Sequence, residues 1–539
     1  MQSYLDRNKD SLRSVGKLPR RRANSVLFVY SPLAIVLVVI VVLVAVFPSK
    51  AKSSSEFTIG NAKLGMYFAE KPGYTVAGVK CAPNIRQVPW SKYAPYCEPK
   101  WTGNNGGTTS FGVTKSTITI TYREPASSLS GLAALFFPPQ LIGTEAQALQ
   151  TMQTYIDLFN KSYELYGRRV VLKTFVGKGD ELSELQGQDL EQAQQDSLSA
   201  KQLGAFADIS LLASTQIYDQ DLADQDIIAI GALAQPQSWF QSYAPYEYSP
   251  TSTCDQGAKV VATVIGREMA NLPAIFAGDP NFVKRVRKFG LIYPENPNYA
   301  GCALELAKIL STQYNSPMTR EVGYTINIAQ ATTQATNIVA QMKSRGVTSV
   351  ICACDPLFPI FLASTATQQN YNPEWLALDF GDIFSQKVTP QSQWAHEISG
   401  GIVMPPNKDE EAYKAYKLED PTGTPSPEFY DIYQPLLEFF AGLQAAGPDL
   451  TPYTFEHGIF SLPPSLPNGD YGAWQYGNNV FNPPADFGIL RWDPNLVSPS
   501  DGLKGTMIAC DNGKRFPFST SGANQLPFHK QINCPSVQG

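Results

Sequence analysis

AFADISLLASTQIYDQDLADQDIIAIGA, residues 205–232, holds a short apolar run, a helical stretch and a second apolar run. AFADIS (205–210) and IIAIGA (227–232) read as short buried strands, and the segment near 213–224 between them reads as a helix. Two apolar strands joined by a helix make a right-handed βαβ unit, so the strands belong to a parallel sheet.

The same grammar runs outward in both directions. Upstream, TITITY (117–122) and RRVVLKTFV (168–176) are strands, a long amphipathic helix spans 143–166 and another spans 187–203. Downstream, YEYSPTSTCDQG interrupts the series near 252. It then resumes: a helix at about 256–271, strand 289–296, helix 300–314, strand 319–327, helix 329–345, strand 348–354, helix 357–369 and strand 374–380. Such a series is too long for one small sheet, so two α/β lobes are expected. The last third departs from it. GGIVMPP (400–406) reads as a strand or edge, and 427–447 as an amphipathic helix closed by a glycine. FGILRWD (487–493) is a further strand in a region rich in Pro, Gly, Asn and aromatic residues.

Near the start, VLFVYSPLAIVLVVIVVLVAVF (26–47) is apolar for 22 residues, with only Ser31 and Pro32 interrupting. As a helix it is about 33 Å long, enough to cross a bilayer core. Residues 1–24 carry seven Lys and Arg against Asp6 and Asp10, so the tail is expected in the cytoplasm and the body outside. A cleaved secretory signal would usually have a shorter apolar region and a clearer cleavage site, so a retained anchor is expected. The tail's +5 leaves −10 on the remainder of a chain whose net charge is −5, which gives no basic footprint for nucleic acid.

All eight cysteines lie beyond the apolar run, where disulfides persist. Cys81 with Cys97 and Cys510 with Cys534 are the natural local pairs. Cys352 and Cys354 fall on a predicted strand and either take distant partners from Cys254 and Cys302 or leave those two to each other. C-x-C without a second nearby pair, in a chain with three His, is a poor metal site, and neither metal nor cofactor is expected. Residues 49–57 read as a tether and 58–115 as a disulfide-pinned extension rather than a core element.

The segments 210–234 (SLLASTQIYDQDLADQDIIAIGALA), 297–310 (PNYAGCALELAKIL) and 441–462 (AGLQAAGPDLTPYTFEHGIFSL) resemble, in series, the type I solute-binding receptors of branched-chain amino acid and amide ABC transporters. The stretch NNGGTTSFGVTKSTITITY (104–122) is similar to large actinobacterial members. The resemblance covers about 116–460. It implies two Rossmann-like lobes with parallel sheets, joined by a three-crossover hinge and closing on a small polar solute delivered to ABC permease subunits. It places lobe 1 at 116–253 and 384–470, and lobe 2 at 254–383 with 471–539, hinged near 252–255 and 381–385. A non-transport ligand sensor or interaction scaffold of the same fold with a degenerate cleft is the alternative.

Open parallel sheets bind ligands beyond the carboxyl ends of their strands. In lobe 1 that rule selects the turn after the first strand, which includes Ser127, then Ser214 and Thr215, and Gly231–Ala232. In lobe 2 it selects Tyr299, Asp355 and Asp379, with Asp255 at the crossover. The resemblance implies that Ser214 and Thr215 hold a ligand carboxylate, that Asp255 and Asp379 hold an ammonium, and that Tyr299 forms a wall. CACDPLF (352–358) departs from the family's Gly- or Tyr-rich turn. Enzymatic activity is not expected. No nucleophile elbow, zincin, Walker or kinase motif occurs, and His396, His457 and His529 lie outside the strand-end positions.

Overall fold

The computed structural model describes residues 72–126, 137, 139–378, 388–401, 408–466, 471–499, 502–518 and 532–535. The apolar run 26–47, Ser127 and Asp379 lie outside them. No helix among the described residues is long and apolar enough to cross a membrane.

Lobe 1 is built on a parallel sheet of β1 (Thr117–Glu124), β2 (Arg169–Val176), β3 (Ala207–Asp208), β4 (Ile228–Ile230) and β5 (Glu247–Tyr248), in the order β2-β1-β3-β4-β5. Its helices are α1 (Glu145–Ser162), α2 (Glu181–Leu185), α3 (Leu190–Leu203), α4 (Gln216–Asp224) and α5 (Gln237–Tyr243). Thr144 opens α1 with a capping box to Gln147, and Met152, Tyr155, Ile156 and Phe159 form its buried stripe.

The chain then crosses into lobe 2. Thr253 caps α6 (Cys254–Val264), and one π-helical turn, Ile265–Met269, follows it. Next come β6 (Phe289–Pro294), α7 (Pro297–Tyr314), β7 (Arg320–Tyr324), α8 (Ile328–Ser344), β8 (Ser349–Cys352), α9 (Phe358–Gln368), β9 (Glu374–Leu378), α10 (Gln391–Trp394) and β10 (Glu397–Gly401). The order β7-β6-β8-β9-β10 repeats that of lobe 1, and all these strands are parallel. Beyond β10 the sheet turns antiparallel, with β11 (Asp486–Val497), β12 (Lys504–Ala509) and β13 (Arg515–Pro517).

Between β10 and β11 the chain returns to lobe 1 as α11 (Glu411–Glu419), α12 (Phe429–Ala446) and α13 (Pro452–Phe460). The predicted amphipathic helix at 427–447 is buried on every side, because α1 and α13 pack on it along with aromatic residues from elsewhere in the chain. Gly447, at φ 83°, ends it as expected.

Three assignments change. The segment 384–470 does not begin in lobe 1: β10 pairs in register with β9, so the chain returns only after Gly401. The stretch 471–539 is divided. Tyr471, Trp474, Tyr476 and Phe481 lie in the core of lobe 1, while β11 to β13 extend the sheet of lobe 2. The extension before residue 116 contributes to the core. Val88, Tyr93, Ala94 and Val113 are buried there, and the Tyr93 ring lies 4.4 Å from that of Trp474.

Both local disulfides are bonded, Cys81–Cys97 and Cys510–Cys534, with Cα separations of 5.5 and 4.2 Å. Cys254 pairs with Cys302, and Cys352 with Cys354. The strand stops at Cys352, so Cys354 leaves the pleat and turns back onto its neighbour.

Candidate functional site

A 2-1-3-4-5 sheet reverses direction between its first and third strands, and the crevice at that switch point is where such sheets bind ligands. In lobe 1 the switch point lies at the ends of β1 and β3, and in lobe 2 at the ends of β6 and β8.

The lobe 1 switch point is a buried charge network around Arg123. Its guanidinium makes a two-pronged contact with Glu184, at 3.1 and 2.6 Å, and its Nε sits 3.2 Å from Asp196 as an ion pair. The guanidinium also lies 4.6 Å from the centre of the Tyr218 ring. All three charged side chains are fully buried. Gly179 makes room: a Cβ there would fall 2.1 Å from Glu184 Oε1. One residue row across the sheet runs Thr121, Asp208, Ala229, Glu247. Asp208 accepts hydrogen bonds from Thr121, Ser210 and Tyr218. Glu247 is fully buried, and neither of its carboxyl oxygens has a partner in the protein.

Ser214 and Thr215 stand at the start of α4. Ser214 donates to both oxygens of Asp219, at 2.6 and 2.8 Å. Thr215 caps the helix by accepting from Tyr218 N–H and donates its own proton to Glu184. Gly231, at the end of β4, permits this approach, since a Cβ there would lie 2.6 Å from Ser214 Oγ. Burial pushes the Asp219 carboxyl up to about 8; the Ser214 hydrogen bond opposes this, Asp208 and Glu184 reinforce it, and Arg123 opposes it again. Burial likewise lifts Asp208 to about 6, against the hydroxyls of Ser210, Thr121 and Tyr218 and the charge of Arg123. Burial, with Asp219 and Asp208 nearby, drives Glu247 well above the carboxylate range.

Lobe 2 supplies Tyr299, in the first turn of α7, and Asp355, just beyond β8. Asp355 accepts from Tyr324 Oη at 2.5 Å and from the amides of Leu357 and Phe358 at 2.9 and 3.2 Å. Its carboxyl is raised by burial, against those hydrogen bonds. Tyr299 reaches across the crevice. Burial raises its hydroxyl; Gln235 of lobe 1 opposes this, and the nearby carboxyls of Asp219 and Asp355 reinforce it. Cys302, one helical turn after Tyr299, is bonded to Cys254 at the crossover, and Cys354 directly precedes Asp355.

Ser214, Thr215, Tyr299 and Asp355 are therefore brought to one crevice. Ala232 follows β4 and is buried in the core of lobe 1. Asp255 holds the hinge: it accepts from Gln237 N–H at 3.0 Å and pairs with Lys259 at 3.8 Å. His396 precedes β10, at the amino end of the sheet, where Nδ1 lies 2.8 Å from the Phe276 carbonyl oxygen. Arg123, Asp208, Asp219 and Gln235 were not selected from the sequence. The available signal was a charge at the end of an otherwise apolar or alternating strand, in TITITYRE and AFAD.

No protein-family model matches the chain, and no curated protein matches it by sequence. Solved structures do match its fold. A fatty acid ABC transporter substrate-binding protein from Thermomonospora curvata aligns over 80% of this chain and 99% of its own, at 16% identity and TM-score 0.55. An ABC transporter substrate-binding protein from Aeropyrum pernix covers 76% of this chain and 98% of its own, at 11% and 0.53. A solute-binding protein of an R. palustris ABC transporter, in complex with 4-hydroxybenzoate, covers 73% and 96%, at 14% and 0.51. The chain has the α/β fold of type I periplasmic binding proteins.

Proposed function

We propose that this chain is an extracytoplasmic solute-binding receptor, anchored by residues 26–47 with its N-terminus inside, which delivers a small polar solute to ABC permease subunits. The observation that carries this reading is the crevice. Two sheets whose five parallel strands share one order each contribute a switch point, and Tyr299 of lobe 2 lies near Gln235 and Asp219 of lobe 1. The chain passes between the lobes after β5, after β10 and before β11, and these passages supply the hinge on which the lobes open and close. The fold shared with substrate-binding proteins of ABC transporters supports the same reading. The amino-acid-like or amide character of the solute and the single-helix anchor rest on the sequence.

One observation favours the degenerate alternative. The hydroxyl protons of Ser214 and Thr215, expected to meet a ligand carboxylate, are directed to Asp219 and Glu184. Thermal-shift screening of the full chain against amino acids, amides, urea, amines and carboxylates separates the two. A ligand at a hundredfold excess over its Kd stabilises the native state by about 2.7 kcal/mol. A receptor gives such a shift with at least one compound; a scaffold gives none.

A further inference from the structure

We propose that the head group this crevice accepts is an organic cation, a primary ammonium or guanidinium, rather than a carboxylate. The inference rests on the receptor reading and names its ligand class.

Three features of the described residues weaken the hold on an anion. Ser214 and Thr215 donate their only hydroxyl protons to carboxylates of the protein. Arg123, the cation at the lobe 1 switch point, is occupied by Glu184, Asp196 and the Tyr218 ring. Lys178, after β2, is exposed and directed to Gln195. A carboxylate brought to the start of α4 would meet the Asp219 carboxyl behind Ser214, where the described hydroxyls and guanidinium are already engaged.

The same residues provide for a cation. Glu184 and Asp196 contact Arg123, Asp208 and Asp219 lie within its electrostatic reach, Glu247 lies near Asp208 and Asp219, and Asp355 of lobe 2 lies, like Asp219, near Tyr299. Glu247 is an independent sign of this surplus. It is buried with both oxygens unpartnered, on the same sheet row as Asp208, with only the Ala229 methyl between them. Buried carboxyl oxygens without a donor are rare and costly, and an N–H-rich head group is the natural partner for such a group. Tyr299 adds an aromatic ring on the lobe 2 side, near Asp219 and Asp355.

Asp219 keeps its proton near neutrality while no cation is present, with Asp208, Glu184, Glu247, Arg123, Tyr218 and Tyr299 as its charged and titratable neighbours. A bound cation would displace that proton, so affinity should rise as pH rises from about 6 to about 8.

The test is isothermal titration of the full chain in detergent with agmatine, putrescine and spermidine, and separately with decanoate, 4-hydroxybenzoate and glutarate. At least one amine should bind, and Asp219→Asn and Asp355→Asn should each weaken it about tenfold or more, the loss of a charge-assisted hydrogen bond. Near-ultraviolet circular dichroism checks that each variant is folded. A second readout is the proton released on binding, measured from the dependence of the heat on buffer ionisation enthalpy, which Asp219→Asn should abolish. Binding of a carboxylate with no amine bound overturns the cation class and leaves the receptor reading standing. Amine binding that both variants preserve also overturns it. No binding by any probe in either set overturns the receptor reading together with the inference.

Discussion

Asp219→Asn should change how the stability of this chain depends on pH. The carboxyl is fully buried, and its value of about 8 in the folded chain compares with about 3.9 when unfolded. A group raised on folding contributes its full stabilisation below the unfolded value and loses it as pH rises through the folded one. Between those limits the unfolded chain has released the proton that the folded chain retains, so stability falls by about 1.4 kcal/mol per pH unit. From about pH 5 to about pH 7.5 that single group accounts for roughly 3 kcal/mol. The amide of the variant can still accept from Ser214 but does not titrate. Asp208, Glu184, Glu247, Arg123, Tyr218 and Tyr299 face the position in both proteins, so their contributions cancel to first order in the difference. Urea unfolding of the full chain in detergent, followed by tryptophan fluorescence at both pH values, measures that difference. The variant should gain on the parent as pH rises. A difference that is flat with pH, or that moves the other way, would refute the electrostatic account of this carboxyl.

Further outcomes follow from the same contacts. Arg123→Met should destabilise lobe 1 by about 3–5 kcal/mol, because it strands the buried Glu184 and Asp196, and a urea titration reads the loss. Replacing Cys254 and Cys302 with serine releases a loop with a sequence separation of 48, which should cost about 4 kcal/mol in the chain-entropy model, whereas releasing the separation of 2 between Cys352 and Cys354 should cost less than half of that. Denaturation of the two double mutants side by side gives the ranking, and the reverse order would contradict it. N-terminal sequencing of the mature chain from the membrane fraction should find residues 26–47 still attached; a start near Lys52 would show cleavage.

The fold was legible where strands were long enough to show a period. TITITYRE alternates over eight residues, and FGLIYP is apolar throughout, as a buried parallel strand should be. β5, two residues long, has no period to read, and β12 and β13 lie in a Gly- and Asn-rich stretch without one. Their places are fixed by neighbours distant in sequence, Phe487 against Phe516 for example. The strand-end rule located Ser214, Thr215, Tyr299 and Asp355. It did not reveal what their polar atoms contact. Asp219 lies one turn into a helix whose sequence looks solvated, and only the closeness of Ser214, permitted by Gly231, draws it into the crevice. Arg123 is readable as an odd charge on a strand, but its neutralisation depends on Glu184 and Asp196, 61 and 73 residues away in sequence.

The claim that a solute is clamped between two lobes is tested most directly by hydrogen–deuterium exchange of the full chain, with and without each amine and carboxylate probe at saturation. The account predicts that a binding probe slows exchange together in 208–224 of lobe 1 and in 297–302 and 352–358 of lobe 2, the segments that carry Asp219, Tyr299 and Asp355. Protection confined to one lobe, or absent from all three segments, would contradict it.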